Sequence, residues 1–338
     1  MQLADFTYTL PPRLIAQEPV TPRDHSRLLL LNRQTGSITH HHFYDLPALL
    51  PPKLHLVANN TKVFPARLLG NKVTGGKVEV LLLKKMPHHC YQVIVSPGLS
   101  LGQTLTFTST LSATVTAISE RIYTLQFSLS DPQLTEVLAK IGIMPTPPYI
   151  KKMLANTSDY QTIYAKYGFS AAAPTAGLHF TPTLLSQIKQ QHPWHELTLD
   201  VGLGTFLPVK ETDISKHHMH SEHFRISPSL ATILATRPPT LAVGTTTLRA
   251  LESSIQAGSH ETEIFIYPPY QFKHVDALLT NFHLPGSTLL MLVTAFCSYP
   301  NTLSPFTTFA DSILGRAYAE AIRLNYRFFS FGDAMLIL

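Results

Sequence analysis

The apolar positions of this chain change rhythm twice. From about residue 66 to 127 they come in short runs rich in β-formers, at 66–69, 77–83, 91–95, 104–108, 113–118 and 123–127. Turn signals separate the runs: Gly75-Gly76, Pro97-Gly98 and Gly102-Gln103. Short strands at regular spacing predict a small β-barrel or sandwich. On either side the grammar differs. Strand-like runs at 27–32, 55–58, 197–203, 241–244, 264–267 and 277–281 are interspersed with helical stretches at 183–190, 230–235, 248–256, 287–296 and 314–325. Thr181-Pro182 is a cap signal for the first of those helices. A short helix is expected at 135–141, followed by the stiff connector Pro145-Thr146-Pro147-Pro148-Tyr149-Ile150. Residues 332–338 end the chain on an apolar strand or core segment. The expected fold class is an α/β main domain with mixed sheets, discontinuous over 1–65 and 146–338, plus an inserted all-β, barrel-like domain over 66–145.

Three times in the second half, an apolar run ends in a polar cluster and then resumes as a helix. The clusters are Ala173-Pro174-Thr175-Ala176-Gly177-Leu178-His179-Phe180, Val243-Gly244-Thr245-Thr246-Thr247-Leu248-Arg249 and Thr280-Asn281-Phe282-His283-Leu284-Pro285-Gly286-Ser287-Thr288. Each reads as strand, loop, helix start. Such junctions present free backbone N–H groups and the positive end of a helix dipole, which suits anionic or strongly polar ligands. Three together are expected to form the rim of one active site.

Composition narrows the choice of chemistry. The 338 residues carry a formal charge of +5, only 14% charged residues and 17 histidines. The excess positive charge has the sign expected of a protein that meets phosphates, and it grows on mild acidification as histidines protonate. Two separated cysteines, Cys90 and Cys297, make neither a disulfide framework nor a thiolate zinc site. The start of the chain has no basic segment followed by an apolar one, and the longest apolar stretch, 289–296, is too short to span a bilayer. A cytoplasmic protein without a membrane partner is expected. No dinucleotide fingerprint or P-loop is present; Gly202-Leu203-Gly204 is only a fragment of the former.

His217-His218-Met219-His220-Ser221-Glu222-His223 is the densest ionisable cluster. It lacks the spacing of a zinc motif, so no metal is expected. His220 and Glu222, at i and i+2 of an extended segment, would share a face and could serve acid–base work. His179 and His283 each stand in an apolar stretch at a junction. Arg249 in the first turn of a helix would oppose the dipole, a local conflict that tends to mark a site. Thr245, Thr246 and Thr247 offer hydroxyls at a helix start. Asn59-Asn60-Thr61, followed by Arg67, is a fourth polar cluster.

Taken together these residues resemble one family, the S-adenosylmethionine:tRNA ribosyltransferase-isomerases of queuosine synthesis. The match runs along the chain in order. It includes Arg23-Asp24 with Ser26-Arg27-Leu28, Asn59-Asn60-Thr61-Lys62-Val63 with Pro65-Ala66-Arg67, and Pro147-Pro148-Tyr149-Ile150. It continues through the three junction clusters, Met219-His220-Ser221-Glu222, and Phe329-Ser330-Phe331-Gly332-Asp333-Ala334-Met335. Asp200 stands where the family usually has His, Leu207 where a polar residue is common, and Phe331 replaces a Tyr.

The resemblance implies transfer and isomerisation of the ribosyl group of S-adenosylmethionine to 7-aminomethyl-7-deazaguanine at the wobble position of tRNA. The product would be epoxyqueuosine, with adenine and methionine released. It implies no metal or cofactor beyond S-adenosylmethionine as co-substrate, a tRNA with a GUN-type anticodon, and a monomer. The implied catalytic residues are His179, His283, His220 and Glu222. The implied substrate-binding residues are Asn59, Asn60, Arg67, Thr175, Gly177, Thr245, Thr246, Arg249, Asn281 and Asp333, and Phe180, Phe206 and Phe282 could line the adenosyl pocket. Lys72, Lys77, Lys84 and Lys85 offer phosphate contacts on the inserted domain. Two other readings remain open on the residues alone. One is a non-catalytic RNA-binding module, with aromatics exposed on a sheet; the other is a metal-dependent hydrolase built on His217, His220 and Glu222.

Overall fold

A computed structural model describes residues 1–152, 154, 156–202 and 209–338. The chain divides into two compact units. One comprises Met1–Lys62, Pro147–Gly168 and Ala173–Leu338, and the other Val63–Thr146 with Phe169–Ala172.

The larger unit is built on a nine-stranded mixed sheet. Its spatial order is Gly258–Thr262, Glu222–Ile226, Trp194–Leu199, His55–Asn59, Thr240–Val243, Ala277–Asn281, Ala334–Ile337, Arg27–Leu31 and Ile38–His42. Trp194–Leu199, His55–Asn59, Thr240–Val243 and Ala277–Asn281 are mutually parallel. Ala334–Ile337 is antiparallel to Ala277–Asn281 and parallel to Arg27–Leu31. The central strands read as unbroken apolar runs because both faces are covered. Leu56, Leu241, Leu279 and Leu336 face a core into which helix Pro182–Gln191 sinks Leu184, Leu185 and Ile188. Val57, Ala242, Leu278 and Met335 alternate to the other face and are equally buried. Helix Thr245–Ser253 packs across five strands.

The smaller unit is a closed six-stranded antiparallel barrel, in the order Ile122–Phe127, Cys90–Ser96, Lys77–Met86, Arg67–Lys72, Thr104–Thr106 and Ser112–Ser119. Val78, Val80 and Leu82 alternate inward, as a period of two requires. Helix Asp131–Ile141 adds Leu134 and Leu138, four residues apart on one face, to the same core. The α/β unit with its mixed sheet and the barrel are the two architectures that the change of rhythm predicts.

Several local expectations need correction. Residues 264–267 are not a strand: the ladder ends at Thr262, and Pro268-Pro269 then removes two donors. The strand expected at 197–203 is Trp194–Leu199. Strand Ile38–His42 was not anticipated, because Thr39 and three consecutive histidines hide the pattern on an exposed sheet edge. The strand before the first polar junction is the short Tyr167–Ser170, which belongs to a separate two-stranded sheet; residues 171–174 are loop, followed by a 3-10 turn at Thr175–Gly177.

Asp333, expected to bind substrate, instead pins the late strand to the early one. Its Oδ1 accepts from the Arg27 backbone N–H at 2.9 Å, and its Oδ2 from the Arg327 backbone N–H at 2.8 Å and from Arg27 Nε at 3.2 Å. The residue is 2% exposed. Asp333→Ala is expected to lower folding stability by about 2–4 kcal/mol, since it strands buried N–H donors that bonded a charged acceptor. Urea denaturation followed by circular dichroism checks this; a midpoint equal to wild type would refute it.

Candidate active site

Parallel strands deliver their loops to one edge of a sheet, and ligands collect outside the strands' carboxyl ends. Here the relevant edge carries Asn59, Val243 and Asn281. A cavity of about 460 Å³ opens there. Its wall takes Ala173 to Ala176 from the first junction, Gly244 to Thr246 from the second, and Thr280 to Pro285 with Ser287 from the third. The three polar clusters therefore do meet at one site. Phe282, Leu284, Leu289, Tyr149 and Phe329 make much of the remaining wall apolar and aromatic, as small-molecule sites commonly are.

A hydrogen-bonded chain runs behind the wall. Thr175 Oγ1 donates to Asn281 Oδ1 at 2.7 Å. That orientation points the Asn281 amide nitrogen toward His179 Nε2, 3.4 Å away. An amide nitrogen only donates, so the neutral His179 ring carries its proton on Nδ1. Nδ1 then donates to Ser26 Oγ at 2.7 Å. Phe43 stacks on the ring at 4.9 Å. Burial, followed by the nearby positive charges of Arg327 and Arg23, pushes the His179 pKa down to about 3. His179 lines a side crevice with Arg23 and Phe331 rather than the main cavity, so Asn281 is the residue of this chain that faces a ligand.

His283 does line the cavity. Its Nε2 meets Thr280 Oγ1 at 2.8 Å, and its backbone N–H donates to Tyr318 Oη at 2.9 Å. Tyr8 donates its phenolic proton to the His283 carbonyl. Burial pushes the His283 pKa down to about 3. Both histidines are therefore neutral imidazoles at pH 7. Tyr149 Oη pairs with Ser330 Oγ at 2.7 Å, its ring packs 4.9 Å from Phe329, and burial raises its pKa to about 12.

Other expected site residues are placed elsewhere. Arg249 is the fifth residue of its helix, past the first turn, and is 2% exposed. Its Nη1 pairs with Glu222, which also accepts from the Gly202 backbone N–H at 3.1 Å. The anion that balances Arg249 belongs to the chain itself, and Glu222 is not a free base. His220 is exposed in the loop before strand Glu222–Ile226, so the two do not share a face.

Asn59 spends its amide on Leu199, donating to its carbonyl and accepting from its N–H, both at 2.9 Å. Asn60 bonds Thr198 at 2.7 Å and Glu196 at 3.2 Å. Arg67 lies in the barrel and pairs with Glu79 at 3.2 Å. Gly177 is needed for space, because a Cβ there would lie 1.8 Å from Tyr164 Oη. Phe180 is core, edge-on to Phe43 and Trp194; Phe282 reaches the wall; Phe206 and Leu207 lie outside the described residues. Asp200 accepts from Thr61 Oγ1 at 2.9 Å, and Phe331 packs against Tyr160.

The three residues of the hydrolase reading do not converge: His217 bonds Glu211 at 3.0 Å, His220 is exposed, and Glu222 holds Arg249. Among the described residues no group of three or more His, Cys, Asp or Glu could hold a metal ion. No described helix is long and apolar enough to cross a membrane. The wall residues Pro148, Tyr149, Phe329 and Ser330 were missed as site residues. Their signal is the pair of motifs Pro147-Pro148-Tyr149-Ile150 and Phe329-Ser330, which carry the family resemblance but to which no site role was given.

Residues 3–337 match the family model described as queuosine biosynthesis protein. Relatives named S-adenosylmethionine:tRNA ribosyltransferase-isomerase from Moorella thermoacetica, Symbiobacterium thermophilum and Clostridioides difficile are 48%, 46% and 44% identical, each over 100% of both chains. A crystal structure of S-adenosylmethionine tRNA ribosyltransferase from Thermotoga maritima is similar at a TM-score of 0.53 and 35% identity, covering 99% of this chain and 100% of that one.

Two outcomes follow from the buried charges and rings. Arg249→Ala should destabilise the fold by about 3–5 kcal/mol, because it abandons a buried Glu222 carboxylate. Arg249→Met with Glu222→Gln should recover much of the loss in thermal melts. A single variant as stable as wild type would contradict the pairing. Acid should also weaken the fold. His179 and His283 bind protons in the unfolded chain near pH 6.5 but not in the fold until about pH 3. Stability therefore rises with pH across that window and is lost as pH falls through it. Each ring should cost about 2 kcal/mol at pH 5 relative to pH 8. Urea midpoints at the two pH values should fall on acidification, and His283→Gln should fall less.

Proposed function

The chain belongs to the queuosine biosynthesis proteins, the S-adenosylmethionine:tRNA ribosyltransferase-isomerases, and on that premise we propose a specific reaction for its cavity. The acceptor is 7-aminomethyl-7-deazaguanine at the wobble position of a tRNA with a GUN-type anticodon. The ribosyl group of S-adenosylmethionine is transferred and isomerised to give epoxyqueuosine, and adenine and methionine leave. No metal or further cofactor takes part, and the protein acts as a cytoplasmic monomer.

One observation carries this reading: three polar junctions surround a single aromatic-walled cavity that contains a neutral imidazole. The sulfonium makes the adjoining ribose carbon acidic, so a base must reach it. His283 is placed in the wall with Nε2 engaged by Thr280, which leaves Nδ1 as the nitrogen for the ligand. His179 is a positioning residue, holding the Asn281 amide toward Thr175. Phe282, Tyr149 and Phe329 offer faces to the adenine ring and to the sulfonium. The transfer RNA needs a basic surface. Lys77 and Lys84 are exposed on the barrel, whereas Lys72 donates to the Gly98 carbonyl at 3.2 Å and Lys85 pairs with Asp131 at 3.3 Å. Lys77 and Lys84 are thus the better candidates for phosphate contacts.

Incubation with S-adenosylmethionine and tRNA carrying the deazaguanine precursor, followed by nucleoside mass spectrometry, tests the reading. The expected result is a modified nucleoside with adenine and methionine released in equal amounts. Release of S-adenosylhomocysteine would identify a methyl transfer and defeat the proposal. His283→Ala should reduce turnover by about two or more orders of magnitude, the usual worth of general acid–base catalysis. A folded His283→Ala protein with full activity would remove His283 from the mechanism.

A further inference from the structure

Helix Thr245–Ser253 presents an uncapped first turn to the cavity. Its N-cap is Gly244, at φ +91°, and among the described residues no side chain caps its N–H groups. The helices that begin at Pro182, Pro228, Thr288 and Ile313 are each capped by a Thr or Ser hydroxyl. Gly244, Thr245 and Thr246 all line the cavity. Thr246 is 7% exposed, and its Oγ1 is buried without a hydrogen-bond partner among the described residues. The adjacent Thr247 shows the ordinary alternative, since its hydroxyl donates to the Val243 carbonyl at 2.8 Å. Leaving a buried hydroxyl unsatisfied is unfavourable, and an arriving acceptor would remove that cost. No described residue of the cavity wall is Lys, Arg, Asp or Glu. The helix end is thus the wall's main positive feature.

We propose that this helix start is the carboxylate subsite of the cavity. The free N–H groups of the first turn and the Thr246 hydroxyl donate to the carboxylate of the methionyl arm of S-adenosylmethionine. The arm's position then directs the adenosyl part toward Phe282, Leu284 and Phe329. The inference rests on S-adenosylmethionine being the ligand of this cavity. It adds which end of that ligand lies where, and it makes Thr246 a specificity-determining residue.

Calorimetric titration with S-adenosylmethionine and with its decarboxylated form, which keeps the sulfonium and the ammonium, isolates the carboxylate. Wild type should prefer the intact ligand by about 10- to 100-fold, the range of a charge-assisted hydrogen-bond set. Thr246→Val should weaken the intact ligand about 10-fold and leave the decarboxylated one within about 2-fold. Thr246→Ser should restore the preference. The melting temperature of ligand-free Thr246→Val should equal or exceed that of wild type, because an unsatisfied hydroxyl is replaced by a methyl. If valine is not accommodated, Thr246→Ala supplies the same comparison. Equal affinity of wild type for the two ligands, or equal weakening of both by the variant, overturns the subsite alone. Failure of wild type to bind either ligand overturns it together with the functional reading on which it rests.

Discussion

The shared direction of four neighbouring strands governs what this molecule can do. Trp194–Leu199, His55–Asn59, Thr240–Val243 and Ala277–Asn281 run the same way, so each must return over a face of the sheet rather than through a hairpin. His55–Asn59, Thr240–Val243 and Ala277–Asn281, buried on both faces, carry polar side chains only toward their ends, whereas the partly exposed Trp194–Leu199 admits Glu196 in mid-course. Polar groups are therefore displaced to the carboxyl ends, where the chain turns and helices begin. Asn281 ends one strand, Gly244 and Thr246 follow another, and both meet Thr175 across the same opening.

Buried polar groups in this unit fall into two physical kinds. Some close on the chain: the Asn59 amide on Leu199, the Asp333 carboxylate on Arg27 and Arg327, and Arg249 on Glu222. These hold strand ends in register. Others stay open toward the cavity, Thr246 above all. His179 belongs between the two kinds, because its ring is closed on Ser26 and acts on the cavity only through Asn281. Burial keeps both junction histidines uncharged. An imidazole in that state can accept a proton, yet it contributes no standing positive charge to the pocket.

Much of this was legible in the residues, and the failures have particular causes. The barrel showed because short β-rich runs were separated by Gly-containing turns, and the junctions showed because polar clusters interrupt apolar runs. Their convergence follows from strand order, which no local pattern contains. A buried Asn or Asp beside a strand end looks the same in sequence whether it binds a ligand or a neighbouring backbone group, and Asn59, Asn60 and Asp333 all bond within the chain. Arg249 looked like a cation in search of a ligand because its partner, Glu222, lies on a distant strand. Tyr149 and Phe329 were hidden by the stretch of chain between them, although the fold sets their rings in contact.

The position of the last strand has a consequence for how the molecule is made. Ala334–Ile337 lies between Ala277–Asn281 and the hairpin formed by Arg27–Leu31 and Ile38–His42. During synthesis that hairpin emerges well before residues 334–337, so its inner edge finds no partner until roughly tens of seconds later at ordinary elongation rates. For that interval Leu28, Leu29 and Leu31, all fully buried in the finished protein, have no sheet to join. While the intervening residues are made, the nascent chain thus carries an open, leucine-rich strand edge, the kind of edge on which another chain can pair.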